Sequence, residues 1–140
     1  MTTAAPTPPG RAEPLTLLLL RLATGIFLVY GVWDNITDPA RMEEFIGFMT
    51  AAGFPAPAFC ARLTVFTQLL AGVMLVTGVG VRLAGLIIAV TFVVALVMVH
   101  WSQDLRLWWP ALSLVVIGLH LMARGGGPLA IDAKLVGTRR

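Results

Sequence analysis

The sequence predicts an all-α membrane protein, a polytopic four-helix bundle with a short amphipathic helix at the interface between its first and second spans. Three observations carry that expectation. Of the 140 residues, 58% are hydrophobic and only 12% are charged, a balance that suits a single domain whose outer surface faces lipid. Residues 63–81 and 83–99 hold no charged side chain and meet at Arg82, and each approaches the ~20 residues that cross ~30 Å of hydrocarbon. Both are filled by Leu, Val and Ala with interior glycines, without the period-two alternation of a strand. Only helices or closed barrels satisfy their backbones in lipid.

In chain order, residues 1–14 are rich in Thr, Ala and Pro and read as a disordered tail, without the cationic start and cleavage site of a signal peptide. The first span, 15–33, contains Arg21 at ~9 Å along the helix from Leu15. Two readings of Arg21 stand. Its stem can cross apolar surface so that the head reaches the headgroups, or it forms a structural ion pair, for which Asp132 is the partner. Beyond Asp34 and Asn35, Asp38-Pro39 supplies an N-cap followed by proline at the first helical position. Met42, Phe45, Ile46 and Met49 then recur at helical spacing with Arg41, Glu43 and Glu44 between them. This predicts an amphipathic helix over 40–52, stopped by Gly53 and followed by the stiff link Phe54-Pro55-Ala56-Pro57. Too short and too charged to cross, it lies along the interface and caps the bundle; a partner-binding helix has the same pattern.

Spans two and three are the segments 63–81 and 83–99, and a fourth follows at 107–123. Its first turn carries Trp108, Trp109 and Pro110, with the tryptophans as interfacial anchors. The membrane domain, 15–132, closes with Gly125-Gly126-Gly127-Pro128 and Asp132, and 133–140 form a basic tail. Gly25, Gly31, Gly72, Gly78, Gly85 and Gly118 give every span a place where backbones can approach. Arg11, Arg82, Arg124, Lys134, Arg139 and Arg140 on one face outnumber Arg41, Arg62 and Arg106 on the other. That bias predicts a multi-pass protein of the cytoplasmic (inner) membrane with both termini cytoplasmic.

The formal charge of +3 is small and dispersed, so nucleic acid is not an expected partner; the lipid bilayer is. The single cysteine, Cys60, excludes an internal disulfide or a CxxC pair. No phosphate loop, nucleophile elbow or zinc-protease helix is present, so the chain carries no self-contained catalytic motif. Polar groups do gather at one depth: Asp34 and Asn35 at the end of span one, Gln68 in the first turns of span two, and His100 at the end of span three. Trp33, Trp101, Trp108 and Trp109 surround that level. A carboxylate, an amide and an imidazole in an aromatic-lined pocket near the bilayer surface suit a quinone headgroup, with His100 able to exchange a proton near neutral pH. The alternative is that each is an ordinary interfacial polar group. His100 and His120 terminate opposite ends of the bundle and cannot share haem or a metal, and no metal site is expected.

Leu20-Arg21 with Gly25, the Gly31 region, Gly53-Phe54-Pro55, the 75–82 hairpin of the form Leu-x-x-Gly-x-x-x-Arg, and Gly127-Pro128 through Asp132 occur in an order that resembles the DoxX family of small four-helix membrane proteins over residues 19–132. The resemblance implies a four-helix bundle with cytoplasmic ends. It also implies a place beside membrane oxidoreductases, since named members resemble subunits of a thiosulfate:quinone oxidoreductase and others are associated with oxidative-stress complexes. Many relatives have a glutamate where this chain has Gln68, and a lysine where it has Trp33-Asp34-Asn35. The neutral amide shifts proton handling to Asp34 and His100. The expected function is an integral membrane subunit of a quinone-linked redox system, associated with a membrane protein complex. The alternative is a purely structural accessory subunit of a larger complex. A small-molecule transporter fits less well, because intramembrane charge is scarce.

Overall fold

A computed structural model describes residues 12–137. Of the tail expected at 1–14, residues 1–11 lie outside the described residues, as do the cations Arg11, Arg139 and Arg140 used in the charge comparison, while residues 12–14 are helical and open α1. The elements are α1 (Ala12–Thr37), α2 (Pro39–Ala51), α3 (Pro57–Thr77), α4 (Val81–Ala95, continued by a π-helical segment Leu96–His100), α5 (Leu105–Arg124) and α6 (Ile131–Gly137). Among the described residues every element is helical, and α1, α3, α4 with its continuation, and α5 are long and apolar enough to cross a membrane.

Each long helix buries one stripe. On α1 it is Leu17, Arg21, Thr24, Gly25, Leu28 and Val32, a helical period broken only by the choice of an arginine. Ile26, Phe27, Tyr30 and Trp33 face outward, the inversion of soluble burial that lipid permits. The inner stripes meet in a core that includes Leu28, Ala71, Leu75, Val81, Ala84, Ile88, Leu114 and Leu121.

Two glycine contacts set the spacing. A Cβ on Gly25 would stand 2.8 Å from the Gly72 carbonyl oxygen, and one on Gly72 would stand 2.9 Å from the Gly25 oxygen. The same reciprocity joins Gly85 and Gly118, where the added carbons would meet the opposite carbonyl at 2.6 and 2.7 Å. Thus α1 packs on α3 and α4 on α5, backbone against backbone, and α3 lies against α4 to unite the pairs. Gly31 departs from the expectation, with nothing within 4 Å of its would-be side chain.

The element ends differ from the sequence reading in instructive ways. α1 runs through Asp34 and Asn35 to Thr37, so these residues belong to its last turns. The α3–α4 hairpin turns at Gly78 and Gly80, with φ of 78° and 65°; of the short connection that the sequence places at Gly80 and Arg82, Gly80 is in the turn. Left-handed backbone selects glycine at both positions, and Arg82 falls into the first turn of α4. α5 starts at Leu105, which moves Pro110 into the second turn, where it has no N–H to give the Arg106 carbonyl. α6 occupies most of what reads as the basic tail. As anticipated, Asp38 caps α2: its carboxylate accepts the Ala40 N–H at 2.9 Å, with Pro39 beginning the helix.

The hairpin turn, the end of α5 and α6 form the proximal end of the bundle; α2, the π segment and the start of α5 form the distal end. Replacing Gly85 by valine should force α4 from α5, because the new carbon would stand 2.5 Å from the Met122 backbone nitrogen. The expected loss is about 1–3 kcal/mol. Gly31→Ala should leave stability unchanged or slightly raised, and thermal unfolding in detergent measures both.

Candidate functional site

The distal end holds a cavity of about 160 Å³ beneath α2. α2 supplies an aromatic wall in which Phe45 and Phe48 stack with ring centroids 6.4 Å apart, and Met49, 4% exposed, seals α2 onto the bundle. From the helices below come Gln68 of α3, Thr91 and Phe92 of α4, and His100. Two of the polar residues singled out in the sequence therefore line one space.

Gln68 sits beside the buried stripe of α3, half-buried, three residues from Val65 and three from Ala71. Its amide makes no hydrogen bond to any described residue, so both its donors and its acceptor are available to whatever enters the cavity. His100 closes the π segment Leu96–His100. A π turn takes more residues than an α turn, so the segment re-aims the end of the helix relative to the α register that packs on α5. The His100 Nδ1 lies 2.6 Å from the Gln103 Oε1. Because an amide oxygen only accepts, Nδ1 donates in this pairing, and Nε2 makes no hydrogen bond to any described residue.

The other candidates lie elsewhere. Asp34 and Asn35 build the α1–α2 corner: the Asp34 carboxylate accepts the Asn35 N–H at 2.9 Å and lies 3.6 Å from the Arg41 guanidinium, and the Asn35 amide donates to the Arg41 carbonyl at 3.1 Å. Glu44, by its hydrogen bond and its charge, and then Asp34, raise the Arg41 pKa. Trp101 is 85% exposed and lines no part of the cavity; with Trp33 and Trp109, also exposed, it suits the aromatic belt of a membrane interface. The cavity instead recruits Phe45, Phe48 and Thr91, which the sequence reading did not single out as site residues. The apolar period of α2 was the signal for Phe45, and Phe48 lies outside that period. A lone threonine in an apolar span carries no comparable signal.

The cavity shares Phe54, Thr64, Thr91 and Val94 with a groove of about 370 Å³ between α3 and α4. Leu63, Leu86 and Val90 on its walls are exposed on the face that lipid would cover. Among the described residues no group of three or more His, Cys, Asp or Glu side chains could hold a metal ion.

At the proximal end, Arg21 is 2% exposed, so its head is not lifted to the surface. Nη1 donates to the Gly126 carbonyl at 3.2 Å, while Nε is buried without a partner. Gly78 and Gly126 make the space: a Cβ on either would stand 2.8 or 3.1 Å from Nη1. Asp132 spends its hydrogen bonds on the hairpin. Its two carboxylate oxygens accept the Gly80 and Val81 N–H groups at 2.9 and 3.1 Å, and its own N–H donates to the Gly78 carbonyl at 3.1 Å. Arg21 and Asp132 thus grip opposite sides of one junction and attract through space, with no direct ion pair between them among the described residues.

A family model, DoxX, matches residues 16–101. The chain belongs to the DoxX family. The match covers α1, α2, α3 and α4 with its π segment, and so takes in every residue around the distal cavity, while α5 and the Gly127–Asp132 segment of the resemblance lie beyond it. No curated protein and no solved structure matches this DoxX chain.

Replacing Asp132 by alanine should remove the cap of α4 and cost about 0.5–2 kcal/mol. If Arg21 and Asp132 act through their shared junction, Arg21→Met combined with Asp132→Ala should cost less than the two losses added, by at least about 0.5 kcal/mol. Chemical unfolding of the four proteins of the cycle measures it, and additive costs would show that the two residues are independent.

Proposed function

We propose that this DoxX protein is a membrane subunit associated with a quinone-linked redox system, offering the distal cavity to the polar head of a quinone-type ligand. One observation supports the reading above the others: the Gln68 amide and the His100 Nε2, both without a hydrogen-bond partner among the described residues, share an aromatic-walled space that adjoins a groove on the lipid-facing side. The cavity is of headgroup size, and the groove suits an apolar tail. Gln68 would hold one carbonyl oxygen by its amide N–H, and the His100 ring would give or take the proton at the other. A bound quinone supplies the capacity to carry electrons; the partner complex would deliver and remove them.

The cation bias orients the reading. Arg82, Arg124 and Lys134 stand at the proximal end against Arg41, Arg62 and Arg106 at the distal end, and the terminal cations tip the sequence balance toward a cytoplasmic proximal end. The candidate cavity would then face the outer leaflet of the cytoplasmic membrane. A fluorescent-protein fusion at the C terminus should be bright in the cytoplasm, whereas an alkaline phosphatase fusion there should be inactive; the reverse pattern would invert the topology.

A structural accessory role is the second reading, favoured by the apolar groove of about 420 Å³ between α1 and α3, where Ile26, Tyr30, Trp33 and Val73 are exposed. The two separate in one experiment. His100→Ala should lower quinone-linked electron transfer in native membranes about 100-fold or more, the lower end of the range for a lost acid–base group, with expression and copurification of the partner unchanged. Unchanged transfer with intact copurification would leave the accessory role.

A further inference from the structure

The proximal half of the bundle carries a second groove, between α1 and α5, that the distal site does not use. The glycine contacts close α1 on α3 and α4 on α5, and α3 lies on α4, which leaves α1 and α5 without close packing of their own. Two adjoining hollows of about 360 and 590 Å³ run there and share Glu13, Leu17 and Arg124. Leu17 and Leu20 form an apolar floor, and Arg82, Arg124 and His120 stand at the rim.

The charges at the rim do not cancel. Glu13 pairs with Arg124 across the groove. Arg82 is exposed and forms no hydrogen bond or ion pair with any described residue, so among the described residues one guanidinium at the rim is left over. Arg82 is the second residue of α4 and Arg124 the last of α5, which puts both at the level where hydrocarbon gives way to headgroups. Below them α1 presents Leu17 and Leu20 to the groove, with Thr16 and His120 as the polar residues beside them.

We propose that this groove is a binding site for an anionic glycerophospholipid, with the headgroup phosphate on Arg82 beside Arg124 and one acyl chain on Leu17 and Leu20. A guanidinium fork matches two phosphate oxygens. A soluble anion would gain only the cation and leave the leucine floor uncovered. A zwitterionic lipid would bring its ammonium group toward Arg82, which works against it. An anionic lipid satisfies the charge and the floor together.

The test uses the full chain purified in a neutral detergent, with phosphatidylglycerol, phosphatidylcholine or inorganic phosphate added, read by native mass spectrometry and by the unfolding midpoint. Phosphatidylglycerol should stay bound and raise the midpoint more than phosphatidylcholine, and inorganic phosphate should do neither. Arg82→Gln should weaken phosphatidylglycerol retention about fivefold, the worth of one cation near an anionic surface. Leu20→Trp, which fills the floor and keeps every charge, should weaken it comparably, and it carries the test should Arg82→Gln fold poorly. Arg62→Gln, an exposed cation at the distal end, should leave retention unchanged. Equal losses in Arg62→Gln and Arg82→Gln, full retention in Leu20→Trp, or a midpoint shift reproduced by phosphate alone would each overturn the proposal.

Discussion

Backbone contact between paired helices is the constraint on which the bundle depends. In lipid, an apolar helix gains nothing by hiding from its solvent, so association must come from close packing. Gly25 against Gly72 and Gly85 against Gly118 supply it by letting carbonyl oxygens lie where side chains would be. With α1 seated on α3 and α4 on α5, two consequences follow. α2 has a platform on α3 and α1 over which to lie, which forms the roof of the distal cavity, and the remaining α1–α5 flank stays open as a groove.

The two ends of the molecule solve different problems. At the proximal end, a tight turn frees backbone N–H groups at the start of α4, and a carboxylate from far along the chain accepts two of them. A buried guanidinium takes a carbonyl of the returning segment on the other side. The hairpin junction is held by these polar groups. At the distal end the polar side chains are less engaged with one another: Gln68 makes no hydrogen bond to any described residue, and His100 makes one, to Gln103. That contrast, more than any single residue, separates the junction that holds the fold together from the candidate cavity.

Much of this was legible in the sequence because membrane helices announce themselves by length and composition. The spans, the Asp38-Pro39 start of α2 and its apolar period all follow from local rules. Gly25, Gly72, Gly85 and Gly118 were recognisable as small residues in spans, but their pairing was not, since it depends on how the helices cross. Asp34 misled because a carboxylate near the end of a span looks the same whether it faces a pocket or the neighbouring arginine. Gly80 was legible as part of the hairpin connection, but the place of Arg82 inside α4 was not, because a charge marks a membrane boundary, whereas positive φ marks the turn, and the two do not coincide here.

The π segment at the end of α4 has a consequence for how the molecule could diversify. One added residue in a regular helix swings everything after it by about 100° and would tear α4 from α5. Here the irregular turn absorbs the offset between Ala95 and His100. The register that locks Gly85 to Gly118 is thereby insulated from the direction in which residue 100 points. Substitutions or indels within five residues could swap what the cavity presents while the membrane-embedded pairing upstream stays as it is, so the distal end is free to change faster than the scaffold that carries it.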